Sequence, residues 1–305
     1  MFAGIHLNSL LKSFCFSMLA SVRQNSDLST FKTVLSKARN VLIITGAGMS
    51  AESGVPTFRG AGGLWRNYKS EDLATSYAFY EDPGIVWEFY HYRRELVRKV
   101  QPNPGHITLA NAEKRFNADR RSFTVVTQNV DGLHSRAGST NVVELHGNLF
   151  KTRCTSCSDV RVNNDSPICA ALDGRGSPQF DPKLHVHIPE EALPHCQKSV
   201  SFRDKTKICN GLLRPHIVWF GESLESDVLR RVDIAMASAD VCVVVGTSAV
   251  VYPAAGFAPA LASRGVPVAE VNVEATSATR PLGYFFKGKS GEILPELFDN
   301  LELIS

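Results

Sequence analysis

Seven cysteines stand at 15, 154, 157, 169, 196, 209 and 242, and five of them fall between 154 and 209 among turn formers and charges. Thiols gathered so locally mark a metal or disulfide module inside a larger fold. The pair Cys154 and Cys157, in "CTSC", has the spacing of a zinc knuckle, whose turn lets two thiolates reach one tetrahedral metal. Cys196 and Cys209 are the expected second pair, with Cys169 as the reserve ligand. Four thiolates close the coordination sphere and make the site structural. A redox C-x-x-C is the competing reading, but that motif opens a helix in a thioredoxin-like fold and nothing around it matches.

Other residues of chemical interest follow short apolar runs. "GAG" at 46–48 offers bare backbone amides that can approach a pyrophosphate, although its spacing is not G-x-G-x-x-G and such a turn is often only a turn. "PTFRG" follows, where Phe58 and Arg59 could cover a cofactor or simply anchor the loop. In "TQNVDGLH", Gln128, Asn129 and Asp131 can bond an amide or ribose hydroxyls, or cap a helix. His146, in "ELHGN", is either structural or a general base for a hydroxyl near neutral pH.

Arg93 raises a different question. Val86, Phe89, Tyr90, Arg93 and Val97 recur at spacings of three and four, the period of one helix face. A guanidinium on an apolar stripe either reaches out to water or meets an anion, because burying it unpaired costs several kcal/mol.

The elements that position these groups are legible as an alternation. Runs at 41–45, 123–127, 241–245 and 266–273 look like buried parallel strands, separated by helical stretches at 84–100, 105–117, 224–238 and 254–264. That rhythm predicts an α/β fold, a Rossmann-like doubly wound parallel sheet, with ligands bound beyond the carboxyl ends of its strands. Residues 151–211 break the rhythm and form a small insert.

The 305 residues, 44% of them hydrophobic, suffice for a large core, and a net charge of +3 argues against nucleic acid or an anionic membrane as partner. No stretch is long and apolar enough to span a bilayer. The first 26 residues contain no acid, carry Lys12 and Arg23, and are rich in Ser, Leu and Phe, which suits a mitochondrial transit peptide. A secretory signal and a plain disordered leader are the alternatives.

Taken in order, "GAGMSAESGVPTFRG", "TQNVDGLH", "ELHGNLF", the cysteine pairs, "IVWFGE", "VVGTSAVVYPAA" and "VNVEAT" resemble the sirtuins, NAD-dependent protein-lysine deacylases, from about residue 30 onward. "WEFYHYRRE", "LFKTRCTSC", "SPIC" and "LLRPHIVWFGE" resemble the desuccinylase branch found in mitochondria. The resemblance implies a catalytic domain over 27–305 that consumes NAD and carries one structural zinc. It implies His146 as catalytic base. It places Gly46, Ala47, Gly48, Ser50, Glu52, Phe58, Arg59 and Trp65 on the cofactor loop, and Gln128, Asn129, Val130 and Asp131 around nicotinamide and ribose. Gly246, Thr247, Ser248, Asn272, Val273, Glu274 and Ser290 fall on the adenosine side. For the substrate it implies that Tyr90 and Arg93 bind the carboxylate of a succinyl, malonyl or glutaryl group, with Ala74 leaving room. Val218, Trp219, Phe220, Gly221 and Glu222 would pair with the peptide by strand addition.

In the implied reaction the acyl oxygen attacks the ribose as nicotinamide departs, and His146 deprotonates a ribose hydroxyl. Products are lysine, nicotinamide and 2′-O-acyl-ADP-ribose. Expected partners are acylated lysines of proteins, with the enzyme acting as a monomer in the mitochondrial matrix, and also in cytosol and nucleus. This sequence departs from the branch in the twelve residues between Cys196 and Cys209, and in Ser290, a cysteine in close relatives. The alternatives are a plain deacetylase or ADP-ribosyltransferase of the same fold, in which Arg93 pairs with a protein acid, and a non-catalytic NAD binder.

Overall fold

A computed structural model describes residues 26–57, 63–179, 186–202 and 205–304. Nearly all of the expected leader, together with Phe58 and Arg59, therefore lies outside the described residues.

Nine strands matter for the site: β1 (Asn40–Thr45), β2 (Ser122–Thr127), β3 (Val142–Glu144), β4 (Gly147–Cys154), β5 (Val160–Val162), β6 (Leu213–Ile217), β7 (Val241–Val245), β8 (Val268–Asn272) and β9 (Gly283–Lys287). Six form one parallel sheet in the order β9-β8-β7-β1-β2-β3. Seven helices pack around them: α1 (Leu28–Lys37), α2 (Ala47–Ala51), α3 (Pro83–Lys99), α4 (Pro104–Ala118), α5 (Ser226–Ser238), α6 (Ala254–Ser263) and α7 (Ser290–Phe298).

Residue alternation along the central strands explains why the sheet is covered twice. Val41, Ile43, Val125, Val243 and Val245 face one layer, where Phe31 and Leu35 of α1, Leu109 and Phe116 of α4, and Leu294 and Phe298 of α7 bury them. Leu42, Ile44, Val126, Cys242 and Val244 face the other, against Val232 of α5 and Ala258 and Leu261 of α6. The expected doubly wound sheet is thus observed, extended by β3 and β9 at its two edges.

The alternation is interrupted after β3. β4, β5 and β6 make a separate antiparallel sheet in the order β6-β4-β5, so the small sheet draws on residues 147–217. It shares a third core with α3, in which Val86, Trp87, Phe89, Tyr90 and Val97 pack with Leu149, Ile217 and Trp219. Helix α3 starts where Pro83 occupies its first turn and the Asp82 carboxylate accepts from Ile85 N at 3.1 Å.

Two histidines are sealed beneath the sheet's carboxyl edge. His106 is 0% and His134 2% exposed, with ring centroids 4.8 Å apart, and Thr45 Oγ1 lies 2.9 Å from His134 Nε2. Burial holds His134 down to about 4, and burial plus the neighbouring His134 hold His106 down to about 2, against 6.5 for a free imidazole. Both pKa values are depressed, so the unfolded chain binds protons that the folded chain refuses. Stability is then lost as pH falls below about 6.5, through 4 and further toward 2. Thermal unfolding followed between pH 7 and 4 should show this fall, and His106→Leu should make it shallower; a parallel curve would assign it to other groups.

Candidate functional site

In chain order the six parallel strands run 3-2-1-4-5-6, and the switch point lies between β1 and β7. The loops that leave those two strands meet there. Gly46 N donates to Val245 O at 2.9 Å, and Gly48 N to Gly246 O at 2.8 Å. A Cβ on Gly48 would lie 2.8 Å from Gly246 Cα, and one on Gly246, whose φ is +59°, would lie 2.4 Å from Met49 N. Only glycines permit this contact.

The contact forms the floor of a cavity of about 890 Å³ that crosses the carboxyl ends of β1, β2, β7 and β8. The volume lies in the range of small-molecule and cofactor sites. Gly46, Ala47, Gly48, Ser50, Gln128, Asn129, Val130, Asp131, Gly246, Thr247, Ser248, Asn272, Val273 and Glu274 all line it. So do His146, Ala74, Tyr90, Arg93 and the whole strip from Val218 to Glu222. The glycine amides are spent on holding the two loops together, which leaves a side-chain-free floor beside a row of polar side chains; that lining suits an extended dinucleotide, so the residues fit the cofactor that the sequence implied.

Three expected cofactor residues do not line the cavity. Trp65 is buried and donates its indole N–H to Gly176 O at 3.0 Å. Glu52 accepts from Ser290 N at 2.6 Å, which ties the end of α2 to the start of α7. Ser290 therefore has its amide committed within the protein.

The polar floor is held by mutual bonds. Asn129 Nδ2 donates to Gly46 O and to Ser50 Oγ, both at 2.9 Å, and Asn272 Nδ2 donates to Thr247 O at 2.9 Å. Asp131 Oδ1 accepts from Leu133 N at 2.9 Å, and burial raises its pKa. His146 Nδ1 lies 3.1 Å from Gln128 O. A carbonyl only accepts, so Nδ1 carries the proton and Nε2 the lone pair. Burial lowers the His146 pKa against the opposing pull of that carbonyl, which keeps the ring neutral near pH 7.

At the far end, α3 delivers the arginine. Arg93 is 8% exposed, its Nη2 reaches Pro56 O at 3.5 Å, and its guanidinium lies 5.7 Å from the Phe89 ring centroid. Asp131 is an acid whose charge reaches it. The next residue, Arg94, is spent on structure, donating to Leu149 O at 2.6 Å and to Asn163 Oδ1 at 2.8 Å. Tyr90 is fully buried and its hydroxyl accepts from Trp219 Nε1 at 2.9 Å.

Sequence reasoning missed Arg214. Its guanidinium lies 3.4 Å from the Trp219 ring centroid and forks onto Glu222, with Nη1–Oε1 at 2.6 Å and Nη2–Oε2 at 2.9 Å. Glu222 Oε2 also accepts from Trp219 N at 2.9 Å, and these donors bring the carboxyl down to about 2 against the effect of burial. Glu222 thus buttresses the strip from within. Phe220 N is bonded to Ala74 O at 2.9 Å and Val218 N to His146 O at 2.9 Å, so an incoming strand would use other backbone groups of the strip. One arginine in "LLRP" carried no periodic signal that could have found it.

The four expected cysteines converge. Their sulfurs lie within 4.8 Å of one another, with Cys154–Cys209 at 3.7 Å and Cys157–Cys196 at 3.8 Å. Four sulfurs about 2.3 Å from one zinc are about 3.8 Å apart, whereas a disulfide needs about 2.05 Å. The twelve intervening residues do not disturb the pair, because 199–202 and 205–208 pair as an antiparallel hairpin. That hairpin returns Cys209 beside Cys196, where Asn210 N donates to Cys196 O at 3.0 Å. Cys169 lies elsewhere, against the core shared with α3.

The Sir2 family model matches residues 46–253. The NAD-dependent protein deacylase sirtuin-5, mitochondrial, of Danio rerio is 54% identical over 280 residues, which cover 92% of this chain and 89% of the relative. A mutant Sir2 homologue complexed with 2′-O-acetyl ADP ribose superposes with a TM-score of 0.73 at 39% identity, covering 90% of this chain and 96% of that one. A Sir2–p53 peptide–NAD+ complex does so with a TM-score of 0.69 at 28% identity, covering 89% and 97%. A glycine cradle at the switch point, a half-buried neutral histidine and a four-cysteine insert, on a fold and a sequence shared this widely, make the chain a member of the Sir2 (sirtuin) family.

Proposed function

We propose that this protein is an NAD-dependent protein-lysine deacylase that prefers acyl groups ending in a carboxylate, namely succinyl, malonyl and glutaryl, and is a weak deacetylase. One observation carries the reading: Arg93 and Tyr90 lie in the wall of the same cavity as His146 and the glycine cradle. A buried arginine and a phenol at the end of an apolar channel are a receptor for a carboxylate, through charge-assisted bonds that a methyl group cannot replace.

Bound NAD would supply a ribose carbon activated by the departing nicotinamide and a hydroxyl that takes up the acyl group. Gly46, Ala47, Gly48, Gly246, Thr247 and Ser248 would hold its phosphates and adenosine side, with Asn272, Val273 and Glu274 beyond them. Gln128, Asn129 and Asp131 would orient nicotinamide and ribose. His146 Nε2 would take the ribose hydroxyl proton, since its tautomer is set by Gln128 O. The strip from Val218 to Glu222 would receive the peptide by strand addition, with Ala74 leaving space beside it.

Cys154, Cys157, Cys196 and Cys209 would hold one zinc that stiffens the insert and takes no part in the reaction. The mitochondrial designation of the relative supports a mitochondrial site of action. Action in cytosol and nucleus as well, and action as a monomer, complete the proposal.

Kinetics with succinyl, malonyl, glutaryl and acetyl peptides in the presence of NAD test enzyme class and pocket together. Arg93→Met should cost about 3 kcal/mol of succinyl transition-state binding, over a hundredfold in kcat/KM, and reverse the preference toward acetyl. Equal losses on both acyl groups would reject the carboxylate receptor. The pH profile of kcat/KM should keep its plateau below 6.5, because His146 is depressed below that value, and fall once the ring protonates; an acid limb centred above 7 would exclude His146 as the base. Metal analysis should find one zinc per chain, lost in Cys196→Ser and retained in Cys169→Ser.

A further inference from the structure

The hydrogen bond between Trp219 and Tyr90 has a direction, and the direction bears on selectivity. An indole N–H can only donate. Trp219 Nε1, 2.9 Å from the Tyr90 hydroxyl, therefore fills an acceptor position of that oxygen and leaves its proton to point elsewhere. Among the described residues no hydrogen bond takes that proton up. Tyr90 is wholly buried, and the open space beside it is the cavity that Arg93 also lines.

We infer that Trp219 is a positioning residue for acyl selectivity: by donating to Tyr90 it fixes the phenol as a donor toward the cavity, where it meets the terminal carboxylate of the acyl group. This rests on the acidic-acyl reading given above. Without that constraint a phenol rotates freely and can present a lone pair to the cavity, which would repel a carboxylate.

The indole is held so that it can do this. Arg214 covers one face at 3.4 Å, and the Phe79 ring lies 5.3 Å away. The Glu222 carboxylate grips both the Arg214 fork and Trp219 N. The ring plane is thus fixed by Arg214 and Phe79, and the main chain by Glu222. Burial also raises the Tyr90 pKa well above its ordinary value near 10, so the phenol keeps its proton.

The test is a double-mutant cycle on purified full-length enzyme, with succinyl and acetyl peptides as probes. Trp219→Phe keeps the ring and removes only the donor. It should lower the succinyl-to-acetyl ratio of kcat/KM by roughly five- to tenfold, the value of one hydrogen bond, and the loss should appear in KM for the succinyl peptide. In a Tyr90→Phe background the same change should leave the ratio where it was. A ratio that falls equally in both backgrounds, or equal losses on both peptides, would overturn the inference and leave Trp219 as packing. Should Trp219→Phe not fold, Arg214→Gln frees the indole without removing a group from the acyl end, and its ratio is read in the same way. Absence of any succinyl preference in the wild type would reject the acidic-acyl reading itself. A preference that falls in Tyr90→Phe but not in Trp219→Phe would reject the role of Trp219 alone.

Discussion

The close approach of the β1 and β7 loops is the constraint on which the rest of the site depends. Gly46, Gly48 and Gly246 bring two backbones to hydrogen-bond distance at the point where the sheet reverses its winding. Neither a side chain nor a water layer separates them. The floor is consequently made of main-chain groups that need no rotamer ordering when a ligand arrives, and the polar side chains of β2 and β8 stand around it at fixed heights. A methyl group at Gly246 would push against Met49 N and separate the strands that carry the whole cavity.

The other end of the cavity is built on a different principle. Its walls come from α3 and from the segment that follows β6, and its character depends on how charges are allocated. Arg93 and Arg94 are neighbours in sequence and both are buried, yet their surroundings differ. Arg94 donates to the carbonyls of Leu149 in β4 and of Asn163 and Asp165 just after β5, which anchors the insert to the helix. Arg93 sits one position further around the helix and faces the cavity. A helix turns about 100° per residue, so a single step in sequence separates a guanidinium bonded into the insert from one that lines the cavity.

Much of this was legible in the sequence because the central strands are continuous apolar runs and helices α3 to α6 are periodic. The edge strands were not: β3 has only three residues, and β9 is bounded by glycines that read as loop. Helix α7 was hidden by Gly291 and Pro295 within its nine residues, and α1 by its alternation of Ser, Thr and Lys with apolar residues. At the site, motifs located the residues that line the cavity. They did not reveal partnerships made across the fold, such as Arg214 with Glu222 and Trp219, or Glu52 with Ser290, since nothing in a local window records them. The hairpin between Cys196 and Cys209 was a further case, because its effect on the cluster depended on where its ends closed.

Gln128 joins parts of the site that could have been independent. Its backbone N–H is bonded to Thr45 O at 2.9 Å, its side chain donates to Thr247 Oγ1 at 3.1 Å, and its carbonyl sets the tautomer of His146. One residue therefore spans the ends of three strands and His146. Thermal displacement of any of these elements carries the others with it, so positional errors in the cofactor floor and in the imidazole are correlated. The distance between the imidazole and the glycine floor is then steadier than the absolute position of either.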